Sequence, residues 1–129
     1  MSRKPEERAA AGREAEESVC AYLRKRGMEI VERNFRARGG EIDVIARDRD
    51  VLAFVEVRFR EEDGHGLPEE SVGPAKRRRI VAAARAYLAT IPPDSWKEAR
   101  FDVAAVDGSG GGTAVRYYPA AFDAKGKIL

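Results

Sequence analysis

The sequence is poor in cysteine and histidine, with one of each in the whole chain. A single cysteine cannot form a disulfide within the chain, so no oxidising compartment is indicated and a reduced cytoplasm is expected. A zinc-binding or catalytic role for His65 would need partners that the chain lacks, and we interpret it as a loop residue. The chain begins with a charged amphipathic stretch and lacks an apolar segment long enough to cross a bilayer, so neither export nor membrane insertion is expected.

An excess of charge of one sign is also lacking. Lys and Arg number 24 and Asp and Glu 22, which leaves a formal net charge of +2 at pH 7. Composition alone therefore does not predict a nucleic-acid binder, and any electrostatic argument depends on where the charges lie. With 129 residues and 43% hydrophobic content the chain can bury one core, so we expect a single domain over residues 1–129.

Helical and strand periodicities alternate along the chain and predict an α/β fold with a central hairpin covered by helices on both faces. Glu61 to Gly73 reads as a loop, and the glycine run Gly108 to Gly112 reads as a flexible hairpin loop,. The predicted elements are a helix from about Pro5 to Arg26, strands at Met28 to Phe35, Glu41 to Ala46 and Val51 to Phe59, a helix at Pro74 to Ala89, and strands at Phe101 to Val106 and Ala114 to Tyr118,.

Two carboxylates lie on the central hairpin, whose strands are joined by a short polar turn predicted at Asp48 and Arg49,. With that turn Asp43 pairs with Phe54, and alternation places Asp43 and Glu56 on one face as diagonal neighbours, with Cα atoms roughly 7 to 8 Å apart. At that spacing two carboxylates can reach one cation. The opposite face of the first strand is predicted to carry Ile42, Val44 and Ala46.

Buried carboxylates need a positive partner, because desolvation and mutual repulsion both disfavour their charged forms. One candidate is an arginine network made from Arg38, Arg58 and Arg60, which would be purely structural. The other is a hard divalent cation, which takes one or two protein carboxylates and completes its shell with water and phosphate. The hairpin alone does not decide between them.

Each predicted helix adds one charged side chain to the sheet. Glu16 follows the stripe of the first helix that contains Val19 and Leu23, and Lys76 lies one turn before Ile80 in the second,. The alternative for both is a long side chain that snorkels past the rim of the core.

The segments around these residues resemble the YraN family of uncharacterised bacterial proteins, over nearly the whole chain. The matching segments are Gly12 to Leu23, Arg33-Asn34-Phe35-Arg36, Gly40 to Ala46, Phe54 to Arg60, the helix from Lys76 to Leu88, and Arg100-Phe101-Asp102-Val103.

That family in turn resembles the PD-(D/E)xK, or restriction-endonuclease-like, nucleases. The resemblance implies a three-layer fold, with a central mixed β-sheet flanked by helices. It also implies Mg²⁺ or Mn²⁺ held by Asp43 and Glu56, with Glu16 added from the first helix as in archaeal Holliday-junction resolvases. It also implies DNA phosphodiester hydrolysis, on branched DNA in the resolvases, and a homodimer. Arg58 stands where the motif has lysine, and arginine stays protonated and cannot act as a general base. Lys76 would supply the missing ammonium if its helix packs over the hairpin.

Nucleic acid would then approach through basic segments and contact phosphates without sequence preference. The residues expected to contact it are Arg36, Arg38, Arg58, Lys76 and Arg77. Two alternatives to a nuclease stay open. The first is a nucleic-acid-binding module that lacks turnover because Arg58 replaces the lysine, and the second is a protein-interaction domain whose acidic cluster is only structural.

Overall fold

The computed structural model of the chain describes residues 4–60, 72–107 and 114–128. It confirms all seven predicted elements, with most strands longer than expected. His65, most of the predicted loop that contains it, and the glycine run lie outside the described residues. No helix in the described ranges has both the length and the apolar character that crossing a bilayer requires. The elements are α1 (Pro5–Lys25), β1 (Glu29–Ala37), β2 (Gly40–Asp48), β3 (Val51–Arg60), α2 (Pro74–Leu88), β4 (Glu98–Asp107) and β5 (Ala114–Phe122).

The strands form one mixed sheet in the order β1-β2-β3-β4-β5. Three neighbouring pairs are antiparallel and β3 with β4 is parallel. A parallel pair needs a long crossover connection, and the segment between β3 and β4 contains α2,. The crossover brings α2 back over the sheet, which places its residues above the β2–β3 hairpin.

The two helices cover opposite faces of the sheet, so the fold has three layers as predicted. Each face has a buried apolar cluster, and apolar burial of this kind is the main stabilising contribution to such a fold. The cluster under α1 includes Val19, Cys20, Leu23, Val44, Ala46, Ala53 and Val55. The cluster under α2 includes Ile42, Ile45, Phe54, Ile80, Ala83, Tyr87, Phe101 and Phe122.

The register of the central hairpin differs from the predicted one. Ile45, not Asp43, pairs with Phe54, because the turn lies at Arg49 and Asp50, one position further along than expected. Arg49 adopts a left-handed φ of 58°, and the Asp50 carbonyl accepts the N–H groups that lead into β4. The shift of two residues keeps Asp43 and Glu56 on a common face. Continued by one residue, the observed register sets them directly opposite each other instead of diagonally.

The predicted face of Ile42 was wrong. Ile42 packs in the cluster under α2, whereas Val44 and Ala46 lie under α1, so the alternation of β2 breaks next to Asp43. Helix α2 closely approaches the start of β2, two residues before Ile42. A Cβ atom on Gly40 would lie 2.0 Å from the carbonyl oxygen of Arg79, so only glycine fits there and this end of β2 lies against the helix.

Candidate active site

Strands β2 and β3 separate at Asp43. Their pairing ends at Val44 and Val55. Beyond that point the N–H of Val57 donates to Oδ2 of Asp43 at 2.8 Å, not to a main-chain carbonyl. The Asp43 carboxylate thus takes the place of a main-chain carbonyl from the neighbouring strand. It accepts the hydrogen bond of the Val57 N–H where the two strands diverge,. A carboxylate is therefore fixed in the gap between two central strands.

Glu56 is the buried carboxylate of the site. It is 3% exposed, and its Oε2 atom lies 2.8 Å from Nζ of Lys76 and 3.7 Å from a terminal guanidinium nitrogen of Arg58. Among the described residues this oxygen has no hydrogen bond of acceptable geometry. The close Lys76 contact is therefore an ion pair, because charge attraction tolerates angles that a hydrogen bond does not,. Lys76 is the nearest cation to this oxygen among the described residues.

The pKa of Glu56 is raised from its ordinary value of 4.5 to about 7. Burial is the largest cause, followed by the negative charge of Asp43 and by hydrogen bonding to the Asp43 carboxylate; Lys76 acts in the opposite direction. Each of these causes follows from geometry, because a carboxyl that is desolvated beside another carboxylate resists ionisation. Glu56 therefore depends on nearby positive charge to be ionised near neutral pH.

The predicted partners of the carboxylates are brought together from separate elements. Lys76 comes from α2 and Arg58 from β3, and both side chains are partly exposed while Glu56 is buried. Lys76 approaches Glu56 more closely than Arg58 does. The cation nearest to Glu56 is thus an ammonium from α2, the helix that crosses over the sheet.

Glu16 lies near these residues but is bound elsewhere. Its Oε1 accepts a hydrogen bond from Nδ2 of Asn34 at 3.1 Å, and Arg33 lies 3.8 Å away. Burial raises the pKa of Glu16, and the charge of Asp43 raises it further, against the lowering effect of the Asn34 hydrogen bond. Within the described residues there is no group of three or more His, Cys, Asp or Glu side chains placed to hold a metal. The predicted set of three carboxylates is therefore not assembled in this arrangement.

Asp43 and Glu56 by themselves fit a sparsely liganded Mg²⁺ or Mn²⁺ ion. Hard cations of this size commonly take one or two protein carboxylates and keep several water ligands. The Oε2 atom of buried Glu56 accepts no hydrogen bond of good geometry among the described residues, and it is the kind of acceptor that such an ion would satisfy,.

A groove of about 400 Å³ runs between the β1–β2 turn and the N-terminal half of α2. Its charged lining consists of Arg36, Glu41, Lys76 and Arg79. Arg36 and Glu41 form an exposed ion pair at 3.3 Å, which leaves Lys76 and Arg79 as the cations that face the groove from the helix. The α2 wall of the groove is therefore basic, and Lys76 connects this wall to Glu56.

The residues expected to contact nucleic acid lie in different surroundings in the structure. Arg36 and Lys76 line the groove, Arg58 contacts Glu56, and Arg38 is exposed in the β1–β2 turn. The guanidinium of Arg77 donates to the carbonyls of Gly126 and Val72. Its donors hold the C-terminal segment and the start of α2 in place, and Arg77 does not line the groove.

Sequence reasoning missed Asn34, which has a left-handed φ of 53° within a strand. Asparagine is unfavourable in strands but tolerates this conformation. An asparagine inside a predicted strand was the signal that could have found this residue. Its left-handed backbone places the side chain that donates a hydrogen bond to Glu16.

Asp102, for which the sequence predicted no role, belongs to a structural network on the α1 side of the sheet. Fully buried, it accepts a fork of hydrogen bonds from Arg100, one from the Tyr117 hydroxyl and one from the Ala120 N–H. Burial and the charge of Asp102 raise the pKa of Tyr117, which keeps the hydroxyl as a donor. The network fixes an irregular stretch of β4–β5 pairing and does not reach Glu56.

The comparisons with known proteins cover the whole of this site. The model of the uncharacterised protein family UPF0102 matches residues 15–106. A UPF0102 protein of Anaeromyxobacter dehalogenans is 47% identical over 121 residues, covering 93% of this chain and 89% of the relative. A UPF0102 protein of Syntrophotalea carbinolica is 44% identical over 120 residues, with 93% and 97% coverage. A UPF0102 protein of Nitrosococcus oceani is 38% identical over 119 residues, with 92% and 96% coverage. The chain therefore belongs to the uncharacterised protein family UPF0102.

Proposed function

We propose that the protein is a nuclease-like enzyme that hydrolyses phosphodiester bonds in DNA, branched DNA included, with Mg²⁺ or Mn²⁺ as cofactor. The observation that carries the proposal is the ammonium of Lys76, 2.8 Å from buried Glu56, at the point where β2 and β3 diverge around Asp43. Two carboxylates can hold a metal that assists phosphodiester hydrolysis, and an ammonium beside them can stabilise the charge that develops on the phosphate.

Each residue has a defined task in this proposal. Asp43 and Glu56 would hold the metal, which when bound lowers the pKa of a water ligand and neutralises charge on the phosphate. Lys76 and Arg58 add positive charge where the pentacoordinate phosphate gains negative charge. Asp43 is already oriented by the Val57 N–H, so its carboxylate needs little rearrangement.

The groove beside Lys76 gives the nucleic acid a path to the carboxylates. Arg36 and Arg79 lie along it, and contacts from such side chains to phosphates position a duplex or single strand without reading sequence. We therefore expect affinity that depends strongly on salt and weakly on sequence.

The second candidate is a nucleic-acid-binding module without turnover. The observation that favours it is Arg58, which lies 3.7 Å from Glu56 where the motif has lysine. Arginine cannot take a proton from water. The two candidates differ on Lys76, because only an enzyme that uses the helix ammonium would lose turnover when Lys76 is removed.

The proposal is tested by calorimetry with Mn²⁺ and by cleavage assays on linear and branched DNA. We expect Mn²⁺ binding and metal-dependent cleavage in the wild-type protein, and the loss of both in Asp43→Asn and Glu56→Gln. Asp50→Asn is the matched control, because Asp50 is an exposed carboxylate at the far hairpin turn. Absence of both metal binding and cleavage from the wild-type protein would overturn the proposal. Binding of DNA without cleavage would support the second candidate.

A further inference from the structure

Lys76 belongs to two sites at once. Its ammonium lies 2.8 Å from Oε2 of Glu56, and the same side chain lines the groove between α2 and the β1–β2 turn. The side chain is 39% exposed, so it is not locked in the core. Lysine has a flexible stem of four carbons that can carry its charge from one partner to another.

A divalent ion at Asp43 and Glu56 would conflict with the present position of Lys76. The ion would need the Glu56 carboxylate that the ammonium now contacts, and hard cations of this size bind oxygen at about 2.0 to 2.2 Å. Two cations on the same buried oxygen would repel each other strongly, because solvent screens little there. The ammonium therefore has to leave Glu56 when the ion binds.

The groove offers the displaced ammonium a new partner. Lys76 and Arg79 are three residues apart on α2, so they are neighbours on one side of the helix,. Both line the groove, and a phosphate between them would receive charge-assisted hydrogen bonds from each. The Arg36–Glu41 pair on the opposite wall can also open towards an anion, since it is exposed and weak,.

We infer that this groove binds a backbone phosphate of the nucleic acid, and that Lys76 passes from Glu56 to that phosphate when a divalent cation takes its place. In the metal-free protein Lys76 is the stand-in cation that neutralises Glu56. The exchange step rests on the metal site of the proposed function, whereas the phosphate site rests on the groove alone.

The exchange is tested by acetylation of lysines with an activated ester, followed by mass spectrometry of the whole protein. Lys97 is the internal reference, because it is 83% exposed and lies by Asp50 at the other end of the hairpin. We expect Mg²⁺ to raise the acetylation rate at Lys76 relative to Lys97 by about three- to tenfold, since an amine released from its ion pair with the buried carboxylate is more accessible to the reagent. In Glu56→Gln the rate at Lys76 should be high without Mg²⁺ and unresponsive to it.

The phosphate site is tested with a short phosphorothioate oligonucleotide, which resists cleavage. When the oligonucleotide is added with Mg²⁺, the acetylation rate at Lys76 should fall again, because the phosphate then binds the ammonium. In EDTA, fluorescence anisotropy of the labelled oligonucleotide should show weaker binding for Arg79→Ala, with a salt slope smaller by about 0.7 to 1. Arg78→Ala is the matched control, because Arg78 lies on the adjacent surface with Arg85 and Lys125, and it should bind as the wild type does.

The outcomes separate this inference from the proposed function. If calorimetry detects bound Mg²⁺ while the rate at Lys76 stays constant, the exchange is overturned and the metal site stands. If no Mg²⁺ binds, the proposed function fails together with the exchange step. Equal weakening of oligonucleotide binding by Arg79→Ala and Arg78→Ala would overturn the groove as the phosphate site in either case.

Discussion

Lys76 on α2 lies closer to Glu56 on β3 than Arg58 does, although Arg58 is on the same strand as the glutamate. Side chains two residues apart on a strand share a face, so Arg58 is a neighbour of Glu56 through local geometry alone. The Lys76 contact instead depends on the path of the crossover and on how closely α2 packs on the sheet. The cation nearest to the buried carboxylate is therefore set by tertiary structure.

The first prediction concerns turnover in Lys76→Met, which keeps an unbranched side chain of nearly the same length but removes its charge. If the helix ammonium serves the reaction, kcat should fall by about a hundredfold, the usual effect of losing one group that stabilises transition-state charge. Arg58→Lys should change kcat little, because the ammonium is already present. Single-turnover cleavage of labelled DNA with Mn²⁺ measures both.

The opposite result would favour the nucleic-acid-binding module. In that case Arg58→Lys would create metal-dependent cleavage that a further Glu56→Ala change abolishes, and Lys76→Met would have no turnover to lose. Arg78→Lys is the control for the arginine change, because Arg78 is exposed away from the groove.

The second prediction concerns pH and the metal-free protein. The pKa of Glu56 is raised from 4.5 to about 7, so the folded state keeps a proton that the unfolded state has lost between these values. Stability should therefore fall as pH rises through this window and level off above it. The shift corresponds to up to about 3 kcal/mol in the free energy of unfolding.

Glu56→Gln mimics the protonated form and should remove this dependence. Urea unfolding in EDTA should give the variant and the wild type similar stability near pH 4.5, and a more stable variant above pH 7,. Parallel stability curves for the two proteins across the window would show that the pKa of Glu56 is not the cause.

The third prediction concerns the fit of α2 on the β1–β2 turn. A methyl group at Gly40 would lie 2.0 Å from the Arg79 carbonyl oxygen, so Gly40→Ala forces the helix outward. We expect a loss of about 1 to 3 kcal/mol in stability, the usual cost of overpacking. Lys76 should move with the helix, so Mg²⁺ should no longer change its acetylation rate as it does in the wild type.

Gly12→Ala is the matched control for that variant. A Cβ atom at Gly12 meets nothing within 4 Å, and alanine is the better helix former by about 0.5 to 1 kcal/mol. The control should therefore be slightly more stable than the wild type. If Gly40→Ala is equally harmless in urea unfolding, the close approach of α2 to β2 does not hold in solution.

The elements of the fold could be predicted because each depends on a local pattern. The helical stripe containing Val19 and Leu23, and the alternation along β3, are visible in the sequence,. The hairpin register could not be predicted, since it depends on the left-handed φ of Arg49. A residue other than glycine in that conformation has no reliable sequence signal.

The site was predictable only in part for the same physical reason. Asp43 and Glu56 share a face whichever of the two registers is formed, so their pairing survives an error of two residues. The distance from Lys76 to Glu56 depends on packing at Gly40, and the binding of Glu16 by Asn34 depends on the strained backbone of Asn34. Neither of these two contacts can be predicted from a local periodicity of the sequence.

The fourth prediction separates the structural carboxylate from the proposed metal ligands. Asp102 is fully buried and accepts hydrogen bonds from Arg100, Tyr117 and the Ala120 N–H. In Asp102→Asn the charge is lost and the amide nitrogen cannot accept from these donors, so stability should fall by about 3 kcal/mol, the lower end for breaking a buried pair because Arg100 is partly exposed,. Urea unfolding measures the loss.

Mn²⁺ affinity of the folded Asp102→Asn variant should match that of the wild type, because the network lies on the α1 side of the sheet and Lys76 contacts Glu56 from the α2 side. A drop in Mn²⁺ affinity comparable to that of Asp43→Asn would instead make Asp102 part of the metal site.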